Sequence, residues 1–213
     1  MRTSELISAL ATDSAPIDAA SVDRRFYLKL AGGAVVAFAA MLLLMGARPD
    51  FSEASALPMF WLKLLFPASL AAAALVGLHR LGHPGRRLGQ LPAVAALPVA
   101  FVFLMAGLVL LSAPANERLP LVFGETWFEC PAAITLLSGP AFGLAFWAVR
   151  ELAPTRLVLA GAAAGLFAGS VAAFAYAIHC PETQAPFLAV WYVLGMLIPT
   201  AAGALLGRRL LHW

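Results

Sequence analysis

Six long apolar runs dominate this chain and restrict what it can fold into. A helix that crosses the hydrocarbon core of a bilayer needs about 20 consecutive, mostly apolar residues. Such runs lie at about 26–46, 57–78, 91–112, 131–150, 155–178 and 186–206. They lack the alternation of a membrane β-strand, and backbone groups in lipid must be bonded within the segment. The expected fold class is therefore all-α: a polytopic bundle of six transmembrane helices.

The composition supports a membrane protein and suggests three parts. Hydrophobic residues make up 62% of the chain and charged residues 12%, whereas charged residues reach about a quarter in soluble domains. The first apolar run follows a polar segment and exceeds the ~7–15 residues of a signal-peptide core. We therefore predict a leader at residues 1–25, a membrane domain at 26–207 and a short tail at 208–213.

The basic residues predict an orientation. With six spans, both termini and two loops share one side of the membrane. Of the 14 basic residues, those on that side are Arg2, Arg24, Arg25, Lys29, Arg80, Arg86, Arg87, Arg150, Arg156, Arg208 and Arg209. The opposite loops hold Arg48 and Arg118. Because cytoplasmic loops carry the excess of Lys and Arg, both termini are expected in the cytoplasm.

The two cysteines form the main candidate site. Cys130 in "FECPAA" and Cys180 in "IHCPET" each precede a proline, and both lie at the outer ends of spans. Three interpretations stay open: two unrelated buried residues, a reversible disulfide if the Cα atoms are close enough, or a soft-metal site. In the third, His179, with Glu129 or Glu182, would complete a shell whose thiolates favour Cu(I), zinc or cadmium.

Small residues recur at intervals of four on the last two spans. Gly161, Gly165 and Gly169 share one helix face, and Gly203 and Gly207 share another. Such faces let helix backbones approach closely in lipid. We expect packing within the chain rather than in a homodimer, which remains the alternative.

Other polar residues argue against an enzyme or a coupled transporter. No span has an acidic residue in its middle, where ion-coupled transporters place ionisable groups. No phosphate loop, zinc-protease motif or nucleophile elbow is present, so no obligatory cofactor is expected. Lys63 is predicted to snorkel to the outer interface, ahead of pairing with Glu129. His79 and His83 are expected in a solvated inner loop.

The leader "MRTSELISALATDSAPIDAASVD" has features of a binding segment. It carries a net charge of −3, and Leu6, Ile7 and Leu10 lie on one face of a short predicted helix that Pro16 ends. Isolated helices of this length are marginal in water. The leader could therefore fold on a basic partner, or be a disordered tail.

The chain resembles the NrsF family of bacterial membrane anti-sigma factors. The resemblance rests on "TSELISALATDSAPI" before the first span, the six spans, "FWLKLLFP" in the second, and "ECPAA" and "HCPE" at two outer junctions. It covers nearly the whole chain, and the two Cys-Pro sites are its most specific part.

This resemblance implies a function. The chain would be a multi-pass protein of the bacterial inner membrane that sequesters an extracytoplasmic-function (ECF) sigma factor on the cytoplasmic side. It would release that partner under soft-metal, copper-like or oxidative stress, with Cys130 and Cys180 as the sensing pair. The leader, around Leu6, Ile7 and Leu10, would contact the sigma factor.

The other expected contacts are membrane lipid, without direct nucleic-acid binding. A small membrane thiol oxidoreductase or a soft-metal permease is the alternative function. An oxidoreductase would need a second thiol pair, which the chain lacks, and the methionines form no clear track for a permease.

Overall fold

The structure, a computed structural model, describes residues 2–12, 18–83 and 85–212, and this part of the chain is mainly helical and contains no β-strand. The described residues include six helices long and apolar enough to cross a membrane, which confirms the predicted fold class. These membrane helices, numbered one to six below, are Ala20–Leu44, Pro58–Gly82, Leu91–Ser112, Glu129–Arg150, Leu157–Tyr176 and Ala185–Leu210.

Helix ends differ from the apolar runs because capping groups and prolines set them. The first membrane helix extends back to Ala19, where the Asp18 carboxylate accepts a hydrogen bond from the Ala20 backbone N–H at 3.1 Å. A polar N-cap of this kind satisfies an otherwise free helical N–H. Pro58 begins the second helix in the first turn, where a proline needs no partner for its nitrogen. The sixth helix continues to Leu210.

Shorter helices occupy segments that were predicted as loops or leader. Among the described residues these are Thr3–Thr12 in the leader, and Phe51–Ser55 and Ala115–Phe123 between membrane helices. The last two lie at the same end of the bundle as both cysteines, called the cysteine end here. The opposite end carries most of the arginines and is called the basic end. The connections at the cysteine end are therefore partly structured.

The fifth and sixth membrane helices meet along their glycine faces. A Cβ added at Gly161 would overlap the backbone of Gly203, and one at Gly165 would overlap the backbone of Pro199. Gly207 likewise faces the Leu157 carbonyl. The glycine pattern is thus used for close packing within the chain, where small residues allow helix backbones to touch.

Buried side chains form one apolar cluster toward each end of the bundle. The cluster at the basic end includes Phe26, Leu78 and Val149, from the first, second and fourth membrane helices. The cluster at the cysteine end contains Cys130 and Cys180 together with aromatic and aliphatic side chains. The cysteines therefore belong to the packed interior at their end of the bundle.

Candidate functional site: a buried cysteine pair

The structure brings the two cysteines into contact. Cys130 lies in the first turn of the fourth membrane helix, and Cys180 lies in the turn that follows the fifth. Both are free cysteines with no exposed surface, and they belong to the same buried cluster, with their side chains within interaction distance of each other. Two residues fifty positions apart therefore form one buried dithiol.

The prolines explain why both cysteines stand at a helix end. The Cys130 backbone N–H bonds to the Thr126 carbonyl at 3.0 Å as the fourth helix begins, and Pro131 follows where a missing N–H is tolerated. The Cys180 N–H still bonds to the Tyr176 carbonyl at 3.0 Å. Pro181 cannot continue a helix. One Cys-Pro pair thus starts a helix and the other stops one.

Lys63 holds the turn that carries Cys180. Its ammonium is fully buried and donates to the backbone carbonyls of Cys180 and Glu182, each at 2.6 Å. The prediction that Lys63 snorkels outward was therefore wrong, and so was its alternative, a pair with Glu129. Carbonyls that are shielded from water outside a helix need a partner, and Lys63 supplies one for the buried Cys180 carbonyl and for the partly buried Glu182 carbonyl.

His179 and its neighbour attach the same turn to the first membrane helix. The His179 Nδ1 lies 3.0 Å from the Gly46 carbonyl, so this nitrogen carries the proton. The Arg48 backbone N–H bonds to the Ile178 carbonyl at 3.3 Å. Together these two bonds link the turn that carries Cys180 to the segment after the first membrane helix.

The proposed acidic ligands lie in different surroundings. The Glu182 carboxylate accepts a hydrogen bond from the Glu125 backbone N–H at 2.7 Å, and Glu129 is exposed to solvent. In the described part of the chain, three His, Cys, Asp or Glu ligand atoms lie within 4.8 Å of one another only at the basic end. In this arrangement a soft metal ion at the cysteine pair would be bound by the two sulfurs, and neither Glu129 nor Glu182 would supply a third ligand.

The surroundings of Cys180 favour its thiolate. The hydrogen bond from the Cys130 thiol lowers the pKa of Cys180 to about 5, and the positive charge of Lys63 and the Glu182 backbone N–H act in the same direction. Arg48 lies near as well, and its bidentate hydrogen bonds to the Asp50 carboxylate, at 2.7 and 2.6 Å, raise the guanidinium pKa. Cys180 is thus the thiolate of the pair, and Cys130 is the thiol that donates to it.

Tyr192 completes the wall of the site. Its side chain is fully buried, and the Lys63 Nζ lies 5.6 Å from the ring centroid. The hydroxyl lies beside Cys180, and no hydrogen bond of standard geometry joins it to the described residues. A π-helical turn, Leu188–Tyr192, ends at this residue, and such turns are frequent at functional sites. Sequence reasoning missed Tyr192 because an apolar run gives no periodic sign of a π turn.

The leader forms the predicted helix, Thr3–Thr12, and Ile7 on it is 62% exposed. The side chains of Leu6 and Leu10, and Pro16 with the rest of residues 13–17, lie outside the described part. The Ile7 side chain is thus available to a partner.

His79 and His83 do not lie in a solvated loop, and that expectation was wrong. The second membrane helix continues to Gly82, so His79 lies on its last turn and His83 is its C-cap residue. There they are partly buried beside Asp23 of the first membrane helix. Gly82, one of the two residues that suggested a loop, is the last residue of the helix, and the other, Pro84, lies outside the described residues.

Fold and site together define a class of protein: a multi-pass α-helical membrane protein with a buried dithiol at one end of its bundle. Residues 10–213 match the family described as "Negative regulator of sigma F", NrsF. The chain belongs to this family, as its sequence motifs predicted. No solved structure shows a significant match to the chain.

Two curated relatives match over their full lengths. A protein of Azospira oryzae, named "Probable anti-sigma-F factor NrsF", is 45% identical over 213 residues, which is 100% of both chains. A protein of Caulobacter vibrioides, named "Anti-sigma-F factor NrsF", is 38% identical over 215 residues, again 100% of both chains. These names describe regulators rather than enzymes, in agreement with the prediction.

Proposed function

We propose that this chain is an anti-sigma factor of the bacterial inner membrane. It binds an ECF sigma factor at its basic, cytoplasmic end and releases it when the cysteine pair is oxidised or ligated by a soft metal ion. The observation that carries this proposal is the buried contact between Cys130 and Cys180. The printed names of both relatives support the anti-sigma activity.

Two chemical events would convert the dithiol into a signal. In oxidation, the Cys180 thiolate and the Cys130 thiol form an S–S bond, the oxidant takes up two electrons, and the Cys130 proton is released. In ligation, both sulfurs bind the metal as thiolates, which Cu(I) prefers. Either event replaces the contact between the two cysteines by S–S or metal–sulfur bonds. The distance between the sulfurs then changes, so the Cys180 turn and the start of the fourth helix move relative to each other.

The contacts of the Cys180 turn would spread this change to other helices. The turn is bonded to the second membrane helix through Lys63, to the end of the first through Gly46, and to the segment before the fourth through Glu125. A shift from 1:99 to 99:1 between two helix arrangements requires about 5.5 kcal/mol of differential binding. Metal–thiolate bonding is of sufficient size, since structural zinc sites contribute about 10–16 kcal/mol.

The leader helix is the proposed contact with the sigma factor. It precedes the first membrane helix in the sequence, lies in a segment with net negative charge and presents Ile7. An amphipathic helix binds a partner groove through its apolar side chains. We expect full-length chain carrying Ile7→Asp to lose co-purification with its sigma factor, while the matched Ile7→Val keeps it. Equal recovery with both variants would contradict the assigned contact.

Co-purification from membranes tests the sensing part. Membranes with wild type, Cys130→Ser or Cys180→Ser would be treated with diamide or copper before the chain is isolated. Wild type should lose most of its bound sigma factor, and both serine variants should retain it under either treatment. Release from a serine variant to the wild-type extent would contradict the role of the pair. Failure of untreated wild type to retain a sigma factor would contradict the anti-sigma function itself.

A further inference from the structure

A second cluster of ligand-type side chains lies at the basic end, remote from the cysteines. Asp23 belongs to the first membrane helix, and His79 and His83 lie at the end of the second. One ring nitrogen of each histidine and a carboxylate oxygen of Asp23 lie within 4.8 Å of one another. The two helices thus bring three potential ligands to one point.

The geometry around Asp23 is convergent. The same oxygen, Oδ1, lies 3.2 Å from His79 Nε2 and 3.7 Å from His83 Nε2. His79 lies in the last turn of the second membrane helix, and His83 follows that helix as its C-cap residue with extended backbone. Their ring centroids are 4.5 Å apart. Both Nε2 atoms therefore point toward the same small space.

The tautomer of His83 leaves a lone pair facing the carboxylate. His83 Nδ1 lies 2.7 Å from the His79 backbone carbonyl, which only accepts, so Nδ1 carries the proton. In the neutral ring Nε2 then has no proton, and it faces Asp23 Oδ1, another acceptor. A proton on Nε2 or a metal ion between the two atoms would convert this contact into an attractive one. A histidine that donates one nitrogen to a carbonyl and offers the other is also the usual arrangement at metal sites.

Neighbouring aromatic rings hold His79 in place. Its ring stacks on Tyr27 with a centroid distance of 5.8 Å and an interplanar angle of 20°, and Phe26 lies 6.0 Å away. All three members of the cluster are partly buried. The ligands are thus ordered by packing but remain accessible from the end of the bundle.

We propose that Asp23, His79 and His83 form a binding site for a divalent transition-metal ion of the zinc, cobalt or nickel type. Imidazole suits these ions, and one carboxylate completes three protein ligands with room left for water. This inference is independent of the function proposed for the cysteines. A bound ion would join the start of the first membrane helix, next to the leader, to the end of the second.

Cobalt binding tests the proposal. Full-length chain with Cys130→Ser and Cys180→Ser, reconstituted in nanodiscs, would be titrated with Co²⁺ and then with Zn²⁺ as a competitor. The serine substitutions remove the thiols as competing ligands. We expect one equivalent of Co²⁺ with visible absorption bands, displaced by Zn²⁺, and a thermal midpoint that rises when the metal is added.

Single substitutions locate the ion. His79→Gln, His83→Gln and Asp23→Asn should each weaken Co²⁺ binding by roughly tenfold or more and remove the thermal shift. His212→Gln, which changes an exposed histidine, should change neither. Midpoints without metal show whether each variant is folded, and any one folded variant suffices for the comparison. No saturable binding, binding unchanged in a folded ligand variant, or pH-dependent stability without any effect of metal would overturn the proposal.

Discussion

At the residue scale, Lys63 connects the cysteine site to the rest of the bundle. Its buried ammonium bonds to the carbonyls of Cys180 and Glu182, and its charge stabilises the Cys180 thiolate. Burial of a charge is unfavourable unless it is paired and hydrogen-bonded. The two carbonyls and the Cys180 thiolate together offset that cost. Removal of Lys63 takes the hydrogen-bond donor from both carbonyls and the compensating charge from the thiolate.

The substitution Lys63→Met should destabilise the protein by about 3 kcal/mol, because it leaves the buried Cys180 carbonyl and the partly buried Glu182 carbonyl without their donor. Thermal unfolding in detergent measures this effect. Lys29→Met is the matched control: Lys29 pairs with Glu151, which is 45% exposed, and such pairs contribute up to about 1 kcal/mol. Equal losses in the two variants would show that the Lys63 bonds do not hold the turn.

The hydrogen bond between the thiols predicts a pH profile. Donation by residue 130 stabilises the thiolate, so the pKa of Cys180 lies near 5 rather than 9.0, and its reactivity should persist at pH 6–7. In Cys130→Ser, which retains a donor, modification of Cys180 by methyl methanethiosulfonate should fall only in more acidic solution. In Cys130→Ala, which lacks the donor, the midpoint should move upward. If Cys180 is modified with the same midpoint, near pH 9, in Cys130→Ser and in Cys130→Ala, the assigned hydrogen bond is contradicted.

At the element scale, the contact between the fifth and sixth membrane helices depends on missing side chains. Gly165→Ala should lower stability by roughly 1–3 kcal/mol or more, because its Cβ would overlap the Pro199 backbone and overpacking strains the helices. Gly143→Ala, where a Cβ meets nothing within 4 Å, should be neutral or slightly stabilising. Thermal unfolding midpoints compare the two. A neutral Gly165→Ala would mean that the helices do not touch there.

The membrane helices could be predicted from the sequence because lipid demands long apolar segments, and a four-residue glycine spacing has a direct meaning in a helix. The contact of the two cysteines required the packing of the fourth and fifth helices, which no local pattern specifies. The predicted snorkelling of Lys63 was wrong for the same reason, because its partners are backbone carbonyls more than a hundred residues away in the sequence. His79 and His83 had the right spacing, but their partner Asp23 lies on another helix.

At the scale of the whole molecule, the two ends of the bundle have different chemistry. The cysteine end holds a buried dithiol whose turn is bonded to several helices, and the basic end holds the leader and the Asp23, His79 and His83 cluster. The close contact between the fifth and sixth membrane helices runs between these ends. A change at the cysteines therefore has a packed route along which helices can shift relative to one another.

The affinity of the chain for its sigma factor, measured with the dithiol reduced and after diamide treatment, tests the central claim most directly. The chain would be in nanodiscs, and binding of labelled sigma factor would be followed by fluorescence anisotropy. Allosteric couplings of about 1–3 kcal/mol correspond to roughly 5–150-fold, so oxidised wild type should bind at least about fivefold more weakly. Cys130→Ser should bind with one affinity under both conditions. Equal affinities of reduced and oxidised wild type, with the disulfide verified by mass spectrometry, would contradict the account.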